Sequence, residues 1–193
     1  MKRLALVTAL AALAAAAQAA PVTYVIDNNH TYPHFTYNHL GYSNQTHTFD
    51  KTRGKITLDR AAKTGSVDVS IDATSVNTGF ALFNEHIQAA DYFDTANHPT
   101  ITFKSGTMKF KGDRPVSVAG DLTIKGVTRP VTLTITHFKC QPHPMLKVEA
   151  CGANATTKLK RSAFNMGKNV PYVSDEVTLT LAIEAIKEQP AAQ

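Results

Sequence analysis

The sequence predicts an all-β fold in one domain, and three observations carry that prediction. Apolar and polar residues alternate over many separate stretches, turn-forming residues stand between those stretches, and only one segment has helical spacing. Alternation with a period of two turns one face of a strand toward a core and the other toward water. The 193 residues suit a single domain, whose core is large enough to hold without a dense disulfide framework. Charged residues make up 18% of the chain, which argues against wholly disordered and long coiled-coil classes.

The elements follow in order from the N-terminus. Residues 1–19 read as a secretory signal peptide. Lys2 and Arg3 form a basic start, Leu4 to Ala17 is an uncharged apolar run, and Ala17-Gln18-Ala19 gives the small-x-small cleavage pattern. The apolar run is short for a bilayer span of ~20 residues. Cleavage between Ala19 and Ala20 leaves 174 residues, and the loss of Lys2 and Arg3 lowers the net charge from +5 to +3. That mild excess lacks the basic stripe of a nucleic-acid binder. No later run is long enough to cross a bilayer as a helix. The expected product is an exported protein, and the Ala-rich signal points to a bacterial periplasm.

Strand-like runs then cover about 23–27, 33–40 and 46–59. After Lys63-Thr64-Gly65, Val67, Val69 and Ile71 alternate with Ser66, Asp68, Ser70 and Asp72. Phe80 to Tyr92 is the helical segment, because Phe83 and Ile87 are four apart with Phe80 one turn earlier. Runs at about 100–110 and 116–124 are separated by Gly112-Asp113-Arg114-Pro115, and Gly126 to Pro130 forms the next turn. Val131, Leu133 and Ile135 alternate with threonines. A run at about 146–159 follows, then Val177, Leu179, Leu181 and Ile183 with polar neighbours, and residues 188–193 read as a frayed tail. These about eight to ten strands need their edges removed, which closing into a barrel or stacking into a sandwich achieves. Alternation alone leaves both open, and it leaves a hollow interior open too.

Export makes the two cysteines readable. Cys140 and Cys151 flank a turn at Gln141-Pro142-His143-Pro144, so a hairpin there brings them together. In an oxidising compartment they are expected to form a disulfide. A metal site using both thiols and His143 lacks a ligand for zinc.

Motifs for catalysis are absent: no Gly-x-Gly-x-x-Gly, no phosphate-binding loop, no Gly-x-Ser-x-Gly. Asp91 and Asp94 flank Tyr92 and Phe93 and could act as acid and base, but helix-end and turn capping accounts for them. His30, His34, His39 and His47 fall close together without metal-ligand spacing. Lys158 and Lys160 share a strand face. Arg161 has the opposite parity, which points it toward an interior or its mouth, where a guanidinium suits phosphate oxygens. The nine Phe and six Tyr lie mostly on or beside strands. They would form the core of a sandwich or line the cavity of an open barrel.

Several segments together resemble the YceI-like family of exported, lipocalin-like lipid-binding proteins. They are Tyr24-Val25-Ile26-Asp27, His39-Leu40-Gly41, Asn84-Glu85-His86-Ile87, and Asp91-Tyr92-Phe93-Asp94 running on to His98-Pro99-Thr100-Ile101-Thr102-Phe103. Gly120-Asp121-Leu122-Thr123-Ile124-Lys125-Gly126-Val127-Thr128 and Arg161-Ser162-Ala163-Phe164-Asn165-Met166 complete the match over roughly 23 to 186. The resemblance implies an eight-stranded antiparallel barrel with a short helix near one end. It also implies a long apolar cavity for a polyisoprenoid such as a prenyl quinone or prenyl phosphate. It implies periplasmic location and, in some members, links to isoprenoid transport, pH stress or drug sequestration. No catalysis and no cofactor are implied. Asn38, Asn84, Ala163 and Asn165 depart from the family pattern near the expected barrel ends, which bears on head-group preference rather than on fold.

In such a barrel, Phe35, Tyr37, Phe49, Phe80, Phe83, Phe103, Phe138 and Phe164 are expected to line the cavity. His39, His86 and Arg161 are expected to meet the head group. The function expected is non-enzymatic binding, transport or sequestration of a long apolar small molecule, with no nucleic-acid partner and no metal. Exposed edges or a protruding ligand would favour a homodimer. Two rivals are an isoprenoid-modifying enzyme using His86 with Asp91 or Asp94, and a metal- or haem-binding module built on the N-terminal histidines.

Overall fold

The computed structural model describes residues 20–189. The expected signal peptide, residues 1–19, and the end of the expected frayed tail, residues 190–193, lie outside the described residues. Twelve elements follow in order: β1 Val22–Ile26, β2 Tyr32–His39, β3 Ser43–Phe49, β4 Thr52–Asp59, β5 Thr64–Asp72, β6 Val76–Asn77, α1 Ala81–Ile87, β7 Thr100–Lys111, β8 Arg114–Ile124, β9 Val127–Pro142, β10 Glu149–Lys160 and β11 Glu176–Lys187.

Three interruptions explain why the strands outnumber the staves. β1 and β2 form one stave broken by a 3-10 turn at Asn28–His30, and β5 and β6 form another broken at Ala73–Ser75. The single run at 46–59 breaks at Asp50-Lys51 into β3 and β4. Side-chain caps hold these breaks, as Asx chemistry favours. Asp27 Oδ1 accepts from the Asn29 N–H (3.0 Å) and Asp72 Oδ1 from the Thr74 N–H (3.0 Å). The breaks are also stitched together. The Thr52 N–H donates to Asn28 Oδ1 (2.6 Å), and the Lys51 N–H donates to Ser75 Oγ (3.0 Å).

Counted this way there are eight staves, each antiparallel to the next, and β11 pairs with both β1 and β2 to close the ring. The molecule is an eight-stranded antiparallel barrel with one short helix. Closure leaves no long free edge among the staves. The C-terminus is tied in further than its composition predicts. The Glu188 N–H donates to the Thr23 carbonyl (2.8 Å), and Lys55 Nζ reaches Glu188 Oε1 (2.6 Å).

Bulges reset which side chains face inward. Opposite β10, the register of β9 slips by one residue around Thr136, so Ile135 and Phe138 both face the interior although their parity differs. β7 carries an extra residue near Gly106, which turns both Phe103 and Met108 inward. Gly120 is required where it stands: a Cβ there would lie 2.4 Å from the Lys104 carbonyl oxygen and 2.9 Å from the Phe103 ring.

The helix is shorter than its pattern suggests, ending at Ile87 rather than Tyr92. After it the chain turns back, and the Phe93 N–H donates to the Ile87 carbonyl (3.1 Å). That turn buries Phe93 against Phe35 and Phe49, with ring centroids 5.7 and 5.3 Å apart. The α1 segment thereby packs into one end of the barrel. A second buried cluster of Tyr24, Ile26, Leu58, Cys151 and Ala185 fills the other. Cys140 and Cys151 face each other across β9 and β10 and form a disulfide, with Cα atoms 4.1 Å apart. Among the described residues, no helix is long and apolar enough to cross a membrane.

Candidate functional site

The interior holds a cavity of about 460 Å3 whose wall is overwhelmingly apolar. Its wall comes from alternation: Val67, Val69 and Ile71 on β5, Val131, Leu133 and Ile135 on β9, and Val177 to Ala185 on β11. Its space comes from β10, where the inward positions Ala153 and Ala155 are too small to fill the barrel. The lining residues of β11 span about 26 Å of strand, so the space is long as well as apolar.

Of the aromatics expected on the wall, Phe35, Tyr37, Phe49, Phe83, Phe103 and Phe138 are there. Phe80 and Phe164 are not. Phe80 is the N-cap of α1, in extended backbone, and its side chain is exposed; the helical periodicity that aims Phe83 and Ile87 inward starts only after it. Phe164 sits in the 3-10 turn Arg161–Phe164, fully buried in the core behind the lining.

His39, His86 and Arg161 gather at one end of the cavity, which we call the mouth. There His86 Nε2 lies 3.3 Å from the Tyr92 hydroxyl, and Asn169 Nδ2 donates to the same hydroxyl at 3.3 Å. Lys168 is hydrogen-bonded to Asp91 and stands 5.8 Å above the Tyr92 ring centre. The Lys168 ammonium lowers the Asp91 carboxyl below its usual range.

Arg161 points inward, as its parity predicts, but its guanidinium is already occupied. Nε donates to the Ser174 carbonyl (2.8 Å), Nη1 to the Met166 and Lys168 carbonyls, and Nη2 to the Val173 carbonyl (2.8 Å). Four of its five N–H donors thus fold the 161–175 loop over the mouth. Burial pulls its pKa below the usual value, partly opposed by Asp175. Asp175 itself bonds Ser162 rather than Arg161, so the charge stands beside the cavity without a bonded carboxylate.

Below the mouth, Tyr37 and His47 share a hydrogen bond (3.0 Å), with the His47 ring packed against Phe35 and Phe83. Burial lowers the His47 pKa, with the Thr78 backbone opposing it. Nδ1 of His47 and Oγ1 of Thr52 are buried without a hydrogen-bond partner among the described residues, and Thr52 faces the cavity. At the far end, the Tyr24 hydroxyl bonds Glu149, and Arg60 Nη2 reaches the other Glu149 oxygen at 3.1 Å. Burial and the Glu149 bond push the Tyr24 phenol up to about 12.

The side chains named for an acid–base set each have a neighbour. Asp91 is engaged by Lys168, and Asp94 accepts from Asn97 (2.9 Å), while His86 meets Tyr92. The four N-terminal histidines do not converge either. His30 pairs with Asp27 in the first 3-10 turn (2.7 Å), His39 is at the mouth and His47 is buried beneath it. Among the described residues, the only group of three or more His, Cys, Asp or Glu whose ligand atoms lie within 4.8 Å of one another is Asp27, His30 and Glu184, which contains one of the four.

Sequence reasoning passed over Tyr92, Lys168, Asn169 and Thr52. Tyr92 carried a signal, since it lies between Asp91 and Asp94. Lys168 and Asn169 carried none, because their loop is brought to the mouth by bonds between distant segments, from Arg161 to its carbonyls, from Leu40 to Tyr172 and from Lys168 to Asp91.

Comparison with known proteins fits this architecture. The family model of the YceI-like domain matches residues 24–185. The protein YceI of Escherichia coli O157:H7 is 34% identical over 177 residues, covering 90% of this chain and 92% of its own. The crystal structure of BcnA from Burkholderia cenocepacia superposes with a TM-score of 0.71 at 26% identity, covering 83% of this chain and 99% of BcnA. A polyisoprenoid binding domain from Saccharophagus degradans, implicated in plant cell wall breakdown, shares the fold with a TM-score of 0.65 at 17% identity, covering 86% and 99%.

Proposed function

The chain belongs to the YceI-like domain family, and from that premise we propose that it binds a polyisoprenoid lipid, a prenyl quinone or prenyl phosphate, inside its barrel. The carrying observation is the cavity: about 460 Å3, apolar along its length, and opening where polar side chains gather. Such a slot suits a linear hydrocarbon with a polar end. Affinity comes from burying the chain, at roughly 25 cal/mol per Å2 of apolar surface, less the cost of ordering it. The solved barrel described as a polyisoprenoid binding domain supports the reading by likeness of fold.

In this reading the protein carries or sequesters its ligand in the periplasm and does not transform it. The disulfide supports an oxidising compartment. The head group lies at the mouth beside His39, His86, Tyr92 and Asn169. Arg161 contributes its positive charge and one free N–H rather than a two-pronged grip, because its fork is held by backbone carbonyls. The test is a titration of lipid-free protein with a prenyl quinone and with a prenyl phosphate. Saturable binding of either at one site per chain supports the proposal, and binding of neither overturns it.

A further inference from the structure

Large apolar side chains are left exposed around one end of the barrel. Tyr42 is 87% exposed, Tyr172 74%, Leu82 66% and Phe80 64%, and Leu40 and Val170 lie beside them in the chain, also exposed. Each stands within three residues of a side chain that lines the cavity at or just below its mouth: Leu40 and Tyr42 follow His39, Phe80 and Leu82 precede Phe83, and Val170 and Tyr172 lie between Asn169 and Val173. Two of the three loops are joined directly. The Leu40 N–H donates to the Tyr172 carbonyl (2.9 Å), and His39 bridges to Val173. At the opposite end, the exposed apolar loop residues are Met145 and Leu146 of the β9–β10 turn.

The surrounding charges are balanced. The loops at the mouth end hold Lys125, Arg161 and Lys168 against Glu85, Asp91, Asp94 and Asp175, with Arg129 at the start of β9 beside them. Whatever these loops touch is therefore held by apolar and aromatic contact rather than by charge. Tyrosines and phenylalanine mixed with leucine are the side chains that settle at the boundary between lipid head groups and acyl chains. Their arrangement is a rim around an opening, not a groove for a peptide or helix.

We propose that this rim docks on the surface of a phospholipid bilayer, inserting Tyr42, Phe80, Leu82 and Tyr172 so that the cavity opens into the lipid. The inference rests on reading the cavity as a lipid site. A long-chain lipid resident in a bilayer then enters the barrel without crossing water, which would otherwise oppose transfer in proportion to the exposed apolar area.

The experiment is co-sedimentation of the protein with vesicles of phosphatidylethanolamine and phosphatidylglycerol, at low and high salt. The parent binds, and high salt leaves binding in place, because the rim carries no excess charge. The Tyr42→Ser/Leu82→Ser/Tyr172→Ser variant loses vesicle binding by about tenfold or more. The Met145→Ser/Leu146→Ser control retains it. The triple variant must keep its unfolding transition and its solution affinity for a prenyl quinone or prenyl phosphate, since none of the three side chains lines the cavity. A parent that fails to bind vesicles, or a triple variant that binds as the parent does, overturns the docking proposal and leaves the carrier reading standing. A parent that dimerises through the rim and ignores vesicles overturns it in favour of a protein contact. Vesicle binding without isoprenoid binding removes the carrier reading and leaves the docking surface.

Discussion

Arg161 shows how much one residue carries at the mouth. Its inward direction was legible from parity with Leu159, but its partners were not, because they lie on a loop whose path no periodicity describes. With four backbone carbonyls on one guanidinium, Arg161→Ala leaves them unpaired beside the cavity. We expect a loss of about 3 kcal/mol in denaturant unfolding. Arg161→Lys recovers little, since an ammonium has three donors and no planar fork. His47 gives a second test at this scale. Its pKa is lowered by burial, so the unfolded chain takes up a proton before the folded one does. Its contribution to stability is complete above the ordinary histidine value of 6.5 and is lost as pH falls through the depressed folded value. Unfolding measured from neutral to mildly acidic pH should show this decline in the parent and less of it in His47→Gln.

At the scale of elements, the strands that alternate strictly were the readable ones. β5, the first half of β9, and β11 present the faces their patterns predict. Bulges limited the rest: a one-residue slip near Thr136 brings Phe138 to the same side as Ile135, and alternation has no means of announcing it. The helix stopped at Ile87 because the following segment turns back to bury Phe93, a tertiary demand that overrides spacing. The hollow had a signal that is clear only in retrospect, in the small residues Gly152, Ala153 and Ala155 on a strand whose neighbours carry branched side chains. Ala155→Leu tests it. The larger side chain should leave the fold intact or raise its unfolding temperature by filling space, while isoprenoid affinity falls about tenfold or more. The disulfide is tested separately: Cys140→Ser/Cys151→Ser should lower unfolding stability by roughly 2–3 kcal/mol, with the barrel still closed by its β1–β11 and β2–β11 pairing.

The whole molecule joins a hydrogen-bonded ring to an interior that its side chains do not fill. The all-β class and about eight to ten strand runs follow from the sequence pattern, and likeness to a family added the count of eight, closure and a cavity. Three interrupted staves, the site of the mouth and the outward placement of Phe80 depend on contacts between distant segments, and these became visible only in the fold. The central claim is that the interior holds a linear isoprenoid. Native mass spectrometry of the protein, expressed from its full sequence and purified without detergent, tests it most directly. The predicted result is a mass above that of the polypeptide by one isoprenoid per chain, retained in Tyr42→Ser/Leu82→Ser/Tyr172→Ser and diminished in Ala155→Leu. Bare polypeptide mass, unchanged after incubation with a prenyl quinone or a prenyl phosphate, would contradict it.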